Sequence, residues 1–176
     1  MAGKQIEIAT DGGRFEAYIA APDSGKVPGV ILVSSIFGLD QNMKDMCDDL
    51  AQRGWVALVQ NFFWRDQDSG PLKMEDFQRA VARAQRIDFP KSMDDLMQGI
   101  AEVKRHRNCN GKVAVFGFCF GGPYAWRAAG LRLMRRCRFT APSFLNILSP
   151  ATIRVARFRS TMAIKTNSRR RRNSRR

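Results

Sequence analysis

The sequence predicts an α/β fold in which a mostly parallel sheet carries helices on both faces. Three observations lead there. Residues 29–34 (GVILVS), 55–63 (WVALVQNFF) and 112–118 (KVAVFGF) contain continuous apolar runs, as strands buried on both faces require. The segments between these runs carry apolar residues at helical spacing, and buried strands alternating with helices imply parallel pairing. The chain also opens on two alternating stretches around a Gly-rich turn, the pattern of a hairpin.

Each element follows in order. KQIEIAT (4–10) and RFEAYIAAP (14–22) alternate apolar and polar residues, and Asp11-Gly12-Gly13 lies between them, so an antiparallel pair is expected first. After a loop at 24–28, the run from Gly29 is the first parallel strand. Residues 40–54 hold apolar side chains at 43, 46, 47, 50 and 51, a helical stripe with Asp40 as N-cap candidate and Gly54 at its stop. The strand from Trp55 follows, then a loop over 64–73. MEDFQRAVARAQRI (74–87) is predicted as a helix that breaks before Phe89-Pro90, and residues 89–106 as a second, amphipathic one. There Ser92 and Asp95 are candidates for a capping-box variant. Asn108–Gly111 is expected to turn the chain into the strand 112–118, and Gly122–Gly130 to open a last helix.

The chain is 176 residues long, with 44% apolar and 26% charged residues, a size and composition that support one domain with its own core. The four cysteines, 47, 109, 119 and 137, form no C-x-x-C pair and no zinc spacing, so reduced thiols in a cytoplasmic protein are expected, with no metal and no cofactor. No apolar run approaches a membrane span, and none at the N-terminus resembles a signal peptide. Charge is distributed unevenly. The net charge is +14, and residues 131–176 contribute 13 Arg and one Lys with no Asp or Glu. Residues 1–130 therefore hold 16 basic and 16 acidic residues (30 less 14, against 16) and balance. The expected division is a folded part over 1–130 and a basic, poorly packed tail over 131–176.

The chemistry centres on Gly117-Phe118-Cys119-Phe120-Gly121 at the end of the third buried strand. Gly-x-Cys-x-Gly has the spacing of a nucleophile elbow, with Cys in place of Ser. Gly117 and Gly121 carry no Cβ, so strand and helix can close around the bend, and Cys119 is left at the top of the sheet. The helix that follows aims its N-terminus at the sulfur, which favours the thiolate. The competing reading is a Gly-rich turn around a buried, inert Cys, because free cysteines are commonly buried.

Three segments, DGGRFEAYIAAP (11–22), the stretch from GVILVSSIFGLD (29–40) to QNFFWR (60–65), and GKVAVFGFCFGG (111–122), resemble the dienelactone hydrolases in order and spacing. The resemblance covers residues 6 to about 130. It implies an α/β-hydrolase fold, here truncated after the elbow and its helix, that cleaves a small-molecule ester or lactone through a thioester at Cys119. It also implies an oxyanion hole made by the backbone N–H groups of Ile36 and Phe120. The best-studied members of the family have a Glu in contact with the thiol where this chain has Ser35. Arg79 and Arg83 fall where the family binds a substrate carboxylate, yet solvated helix arginines are the default expectation for both. His106, the single histidine, ends a helix before the elbow strand, so it is expected at the surface, at the opposite end of the sheet from Cys119.

In this fold a triad acid and a histidine follow the nucleophile in the chain, and no Asp, Glu or His follows Cys119 in these 176 residues. A basic arm that binds nucleic acid or acidic surfaces is one reading of the tail, and it carries the alternative function of a non-enzymatic basic protein. A shifted reading frame is the reading that fits better. Met134–Pro142, read one base earlier with suitable third bases, encodes Asp-Ala-Ala-Val-Ser-Phe-Tyr-Gly-Thr, which resembles the family's next strand. Ala156–Thr166 permits Pro-Leu-Pro-Leu-His-Tyr-Gly-Asp-Lys-Asp in the same frame, similar to the strand that leads into the triad Asp. The break would lie near residues 127–133. Hydrolysis by this chain is accordingly expected to be impaired, and its natural substrate and oligomeric state are left open.

Overall fold

The structure, a computed structural model, describes residues 3–130 and the strand at 137–140. Six strands and four helices follow in the order β1 (Lys4–Thr10), β2 (Gly13–Ala20), β3 (Val27–Val33), α1 (Gln41–Gln52), β4 (Val56–Gln60), α2 (Phe77–Arg86), α3 (Phe89–Arg105), β5 (Cys109–Phe118), α4 (Gly122–Gly130) and β6 (Cys137–Thr140). Short 3-10 turns precede α2 at Met74–Asp76 and α4 at Cys119–Gly121. The strands lie in the order β1-β2-β4-β3-β5-β6. β1 is antiparallel to β2 and β2 to β4, while β4, β3, β5 and β6 run parallel.

The unbroken apolar runs have a direct structural cause. Successive strand residues point to opposite faces, and here both faces are covered. Ile31, Val33, Leu58 and Val115 pack on one face with Leu96, Ile100 and Val103 of α3 and Ala125 and Ala128 of α4. Val30, Leu32, Ala57 and Val59 pack on the other with Met43, Cys47 and Ala51 of α1. Full burial of each such side chain stabilises the fold by roughly 1.5–3 kcal/mol, so these strands have no room for alternating polar residues. On the α1 face, Phe116 and Phe118 of β5 are only half-buried.

Local signals set the element ends. The Asp40 carboxylate accepts the Met43 N–H (2.9 Å) and caps α1. Asp88, not Ser92, caps α3, accepting the Lys91 N–H at 3.1 Å, and Pro90 sits in the first turn, where its missing N–H costs nothing. Ser92 and Asp95 are therefore buried inside the helix. Asp95 instead joins three segments: it accepts from Thr10 Oγ1 (2.8 Å), from Trp64 Nε1 (2.9 Å) and from Arg65 Nη1. The expected turn at Asn108–Gly111 is in part strand. Val27 N–H donates to Asn108 O (2.8 Å), Val27 pairs with Cys109, and a register shift before Gly29 absorbs the irregularity.

Residues 137–140, which the sequence expectation assigns to the basic tail, form β6 at the edge of the sheet. Val115 pairs with Cys137 and Phe118 with Thr140, in parallel register. Edge pairing uses backbone groups and tolerates many sequences, so the basic composition of this segment did not reveal a strand. The expectation of poor packing for 131–136 and 141–176 lies outside the described residues.

Candidate active site

Both halves of the predicted site sit at the C-terminal edge of the parallel strands, where ligands bind in open α/β sheets. Val33, the last residue of β3, pairs with Gly117 near the end of β5. The loops that leave these two strands are thus neighbours. One is Ser34–Asp40, with Ile36; the other is the turn Cys119–Gly121.

The elbow geometry is specific. Cys119 has φ 51° and is the one non-glycine residue with positive φ among those described. A side chain held there costs on the order of 1–3 kcal/mol and persists only where the surroundings enforce it, commonly at functional sites. The enforcement is visible at two glycines. A Cβ on Gly117 would strike the Gly121 carbonyl, and a Cβ on Gly121 would strike the Val33 carbonyl. Strand, turn and the start of α4 are packed backbone on backbone, and the chain can make this bend only with glycine at both positions.

Accessibility separates the thiols. Cys47 and Cys109 are buried, whereas Cys119 is half-buried. Burial, with a smaller contribution from the negative charge of Asp48, pushes the Cys47 thiol up to about 12. At pH 8 about one Cys47 in ten thousand would carry the reactive thiolate. Iodoacetamide should therefore label Cys119 at least about tenfold faster than Cys47 or Cys109 in the native protein. Peptide mapping during the reaction measures the three rates, and equal rates would remove Cys119 from the site.

The side chains of Ile36 and Phe120 belong to one apolar cluster. Ile36 is 6% exposed and forms a small cluster with Leu72 and Ala80, against which Phe120 packs. Phe120 also meets the rings of Phe63 and Tyr124, each centroid 5.2 Å away. Tyr124, Phe62 and Phe89 extend this into an aromatic layer under the elbow. The Ser35 hydroxyl accepts the Phe37 N–H at 3.3 Å and the Ser35 carbonyl accepts the Gly38 N–H at 3.2 Å, so Ser35 shapes its own loop.

The two arginines differ from each other. Arg79 is exposed and pairs with Asp76 (2.8 Å) and Asp68 (2.9 Å). Arg83, expected in solvent, is fully buried. Its guanidinium lies 4.0 Å from the centre of the Phe63 ring and donates to the Ile36, Asp68 and Gly70 carbonyls. Burial lowers its pKa from the ordinary guanidinium value, and the negative charges of Asp68 and Asp66 oppose that shift. The sequence held a signal for this burial. Arg83 lies on the same stripe as Ala80, Ala84 and Ile87, which face the protein interior.

His106 ends α3 and begins the approach to the N-terminal end of β5. Cys119 follows the other end of that ten-residue strand, roughly 30 Å away at about 3.3 Å per residue. His106 is half-buried at the N-terminal end of that strand. Its Nδ1 accepts the Asn108 N–H at 3.2 Å, and it lines an open cleft of about 580 Å³ with Lys4, Pro22, Asp23 and Arg107. Burial, then the positive charges of Arg107 and Lys4, lower its pKa. It cannot serve Cys119 from there. Among the described residues no group of three His, Cys, Asp or Glu is placed to hold a metal ion, and no helix is long and apolar enough to cross a membrane.

Comparison with known proteins gives a consistent result. The model of the dienelactone hydrolase family matches residues 15–153. The carboxymethylenebutenolidase of Pseudomonas sp. strain P51 is 32% identical over 132 residues, covering 73% of this chain and 56% of that protein. Curated relatives are matched over 38% to 56% of their length, so the chain spans about half of them. Among solved structures, the "Putative Dienelactone Hydrolase from Klebsiella pneumoniae" superimposes with a TM-score of 0.66 at 25% identity, over 77% of this chain and 57% of that one. A dienelactone hydrolase-like promiscuous phosphotriesterase, P91, from metagenomic libraries shares the fold with a TM-score of 0.60 at 21% identity, over 72% of this chain and 53% of that one. The strained cysteine between two close-packed glycines, on a sheet of this order, thus has its explanation in descent: the chain belongs to the dienelactone hydrolase family.

Proposed function

We propose that the protein is an ester or lactone hydrolase of the carboxymethylenebutenolidase type, in which the Cys119 sulfur attacks the substrate carbonyl. The observation that carries this reading is the positive φ of Cys119 between Gly117 and Gly121, beside the Ile36 loop. In the first step the thiolate forms a C–S bond and the carbonyl oxygen takes up negative charge. The backbone N–H groups of Ile36 and Phe120 are the assigned donors to that oxygen. Donors held in place before the reaction lower its barrier, because nothing has to reorganise as charge develops. Collapse of the intermediate breaks the C–O bond and leaves a thioester, which water then hydrolyses. The substrate is a small ester or lactone.

The 176 residues carry the nucleophile and oxyanion parts of this machinery. No Asp, Glu or His follows Cys119, so proton transfer to the leaving group and activation of water lack a side chain in the usual place. Acylation of Cys119 is therefore expected to outlive deacylation. We read 1–130 as the dienelactone-hydrolase-like part and the segment beyond it, β6 included, as the product of a shifted frame. The coding DNA, read in the neighbouring frame from about codon 130, would reveal a Gly-His segment if so.

Treatment with p-nitrophenyl acetate followed by mass spectrometry tests the assignment. The expected result is a single acetyl group on the peptide containing Cys119, removable by hydroxylamine and absent in Cys119→Ala. Acetylation elsewhere with Cys119 untouched would overturn it.

A further inference from the structure

We infer that Arg83 is a positioning residue for the oxyanion loop, rather than a residue that receives a substrate carboxylate. The inference rests on the proposed acylation of Cys119 and adds to it the group that holds one of the two donors in place.

Four N–H groups of the Arg83 guanidinium are committed to backbone. Nε and Nη2 both donate to the Ile36 carbonyl, at 3.2 and 2.8 Å, and Nη1 donates to the carbonyls of Asp68 (2.8 Å) and Gly70 (2.5 Å). A guanidinium offers five such donors in a rigid fork, so little is left for a ligand. The fork spans two loops that no element connects. One carries Ile36; the other is the loop ahead of α2, and its Leu72 N–H donates in turn to the Phe37 carbonyl at 2.9 Å. The loop backbone lies directly on the guanidinium, since a Cβ on Gly38 would come within 2.9 Å of Nη2.

The consequence for chemistry is geometric. The Ile36 carbonyl is held by two N–H groups of one planar cation, which restrains the main chain on both sides of that residue. The Ile36 N–H, one bond away from the Cα, inherits this restraint. Charge-assisted hydrogen bonds are about twice as strong as neutral ones, and here they act on a segment with no regular secondary structure. The Phe63 ring covers one face of the cation and itself packs against Phe120. Arg83 thus links the two sources of oxyanion donors through one aromatic side chain.

Lys cannot reproduce this arrangement, because a single ammonium cannot bridge Ile36, Asp68 and Gly70 in one plane. Arg83→Lys and Arg83→Gln should therefore slow acylation of Cys119 by p-nitrophenyl acetate by ~10–100-fold, since a displacement of about 1 Å in a catalytic geometry can cost 10²-fold. Alkylation by iodoacetamide provides the internal control. In that reaction an S–C bond forms, a C–I bond breaks and iodide leaves, and no oxygen gains charge. Its rate at Cys119 should change less than about threefold in both variants. Equal loss of both rates, or acylation as fast as in the parent protein, would overturn the assignment. So would failure of both variants to fold, judged by circular dichroism, because Arg83 would then be a requirement of folding and not of positioning. Absence of Cys119-dependent acylation in the parent protein would overturn the hydrolase reading and this inference with it, a result distinct from those seen only in the variants.

Discussion

Turnover of an activated ester by this polypeptide should be ~10²–10⁴-fold slower than by a relative with an acid and a histidine after its nucleophile, because that is the usual contribution of general acid–base groups. The structure sharpens the expectation. His106 lies at the opposite end of β5, with its Nδ1 engaged by the Asn108 N–H. Asp66 and Asp68, whose charges act on Arg83, are paired with Arg86 and Arg79. Neither is placed by its partners to take a proton at Cys119. A burst of p-nitrophenol equal to the protein concentration, followed by a slow steady rate, is the expected time course. The burst should vanish in Cys119→Ala. Many turnovers at the rate of a complete relative, lost in Cys119→Ala, would mean that another group supplies the base.

Gly117→Ala should cost about 3 kcal/mol of stability, the upper part of the range for overpacking a filled site. The new methyl group would strike the Gly121 carbonyl, which is backbone and has no rotamer to move into. Gly121 in turn rests on the Val33 carbonyl, so the strain passes into β3. A loss of that size corresponds to a fall in melting temperature of roughly 10 °C for a chain of this length. Cys119-dependent acylation should fall with it, because the elbow cannot close. A Gly117→Ala protein with an unchanged melting temperature would show that β5 and α4 are not packed as tightly as the fold requires.

The elements themselves were legible in the sequence. The segments 29–34, 55–63 and 112–118 contain the continuous apolar runs 29–33, 55–59 and 113–118, and burial on both faces explains such runs in strands of this length. The helical stripes and the Asp40 cap lie in short stretches of chain, and so does Gly-x-Cys-x-Gly, since an elbow needs its glycines at fixed offsets from the nucleophile. The family pattern assigns the backbone N–H groups of Ile36 and Phe120 to one site as an expectation, and the pairing of Val33 with Gly117 makes the loops that carry them neighbours.

Other features depend on contacts between distant residues, which local sequence does not encode. The initial hairpin joins the sheet through β4 rather than β3, because Ala17 to Ala20 pair with Gln60 to Ala57. Ser92 and Asp95 have the composition of a helix cap, yet Asp88 and Pro90 start the helix earlier and Asp95 collects Thr10, Trp64 and Arg65 instead. β6 pairs through its backbone on an open strand edge, an interaction nearly blind to side chains. Arg83 shows the division most clearly. Its place on the buried stripe of α2 could be read from the spacing of its neighbours. That its charge is tolerated there was decided only by the carbonyls of Ile36, Asp68 and Gly70, which two separate loops bring to the same guanidinium. A buried cation is stable where hydrogen-bond acceptors replace its water, and those acceptors exist only once the tertiary structure has formed.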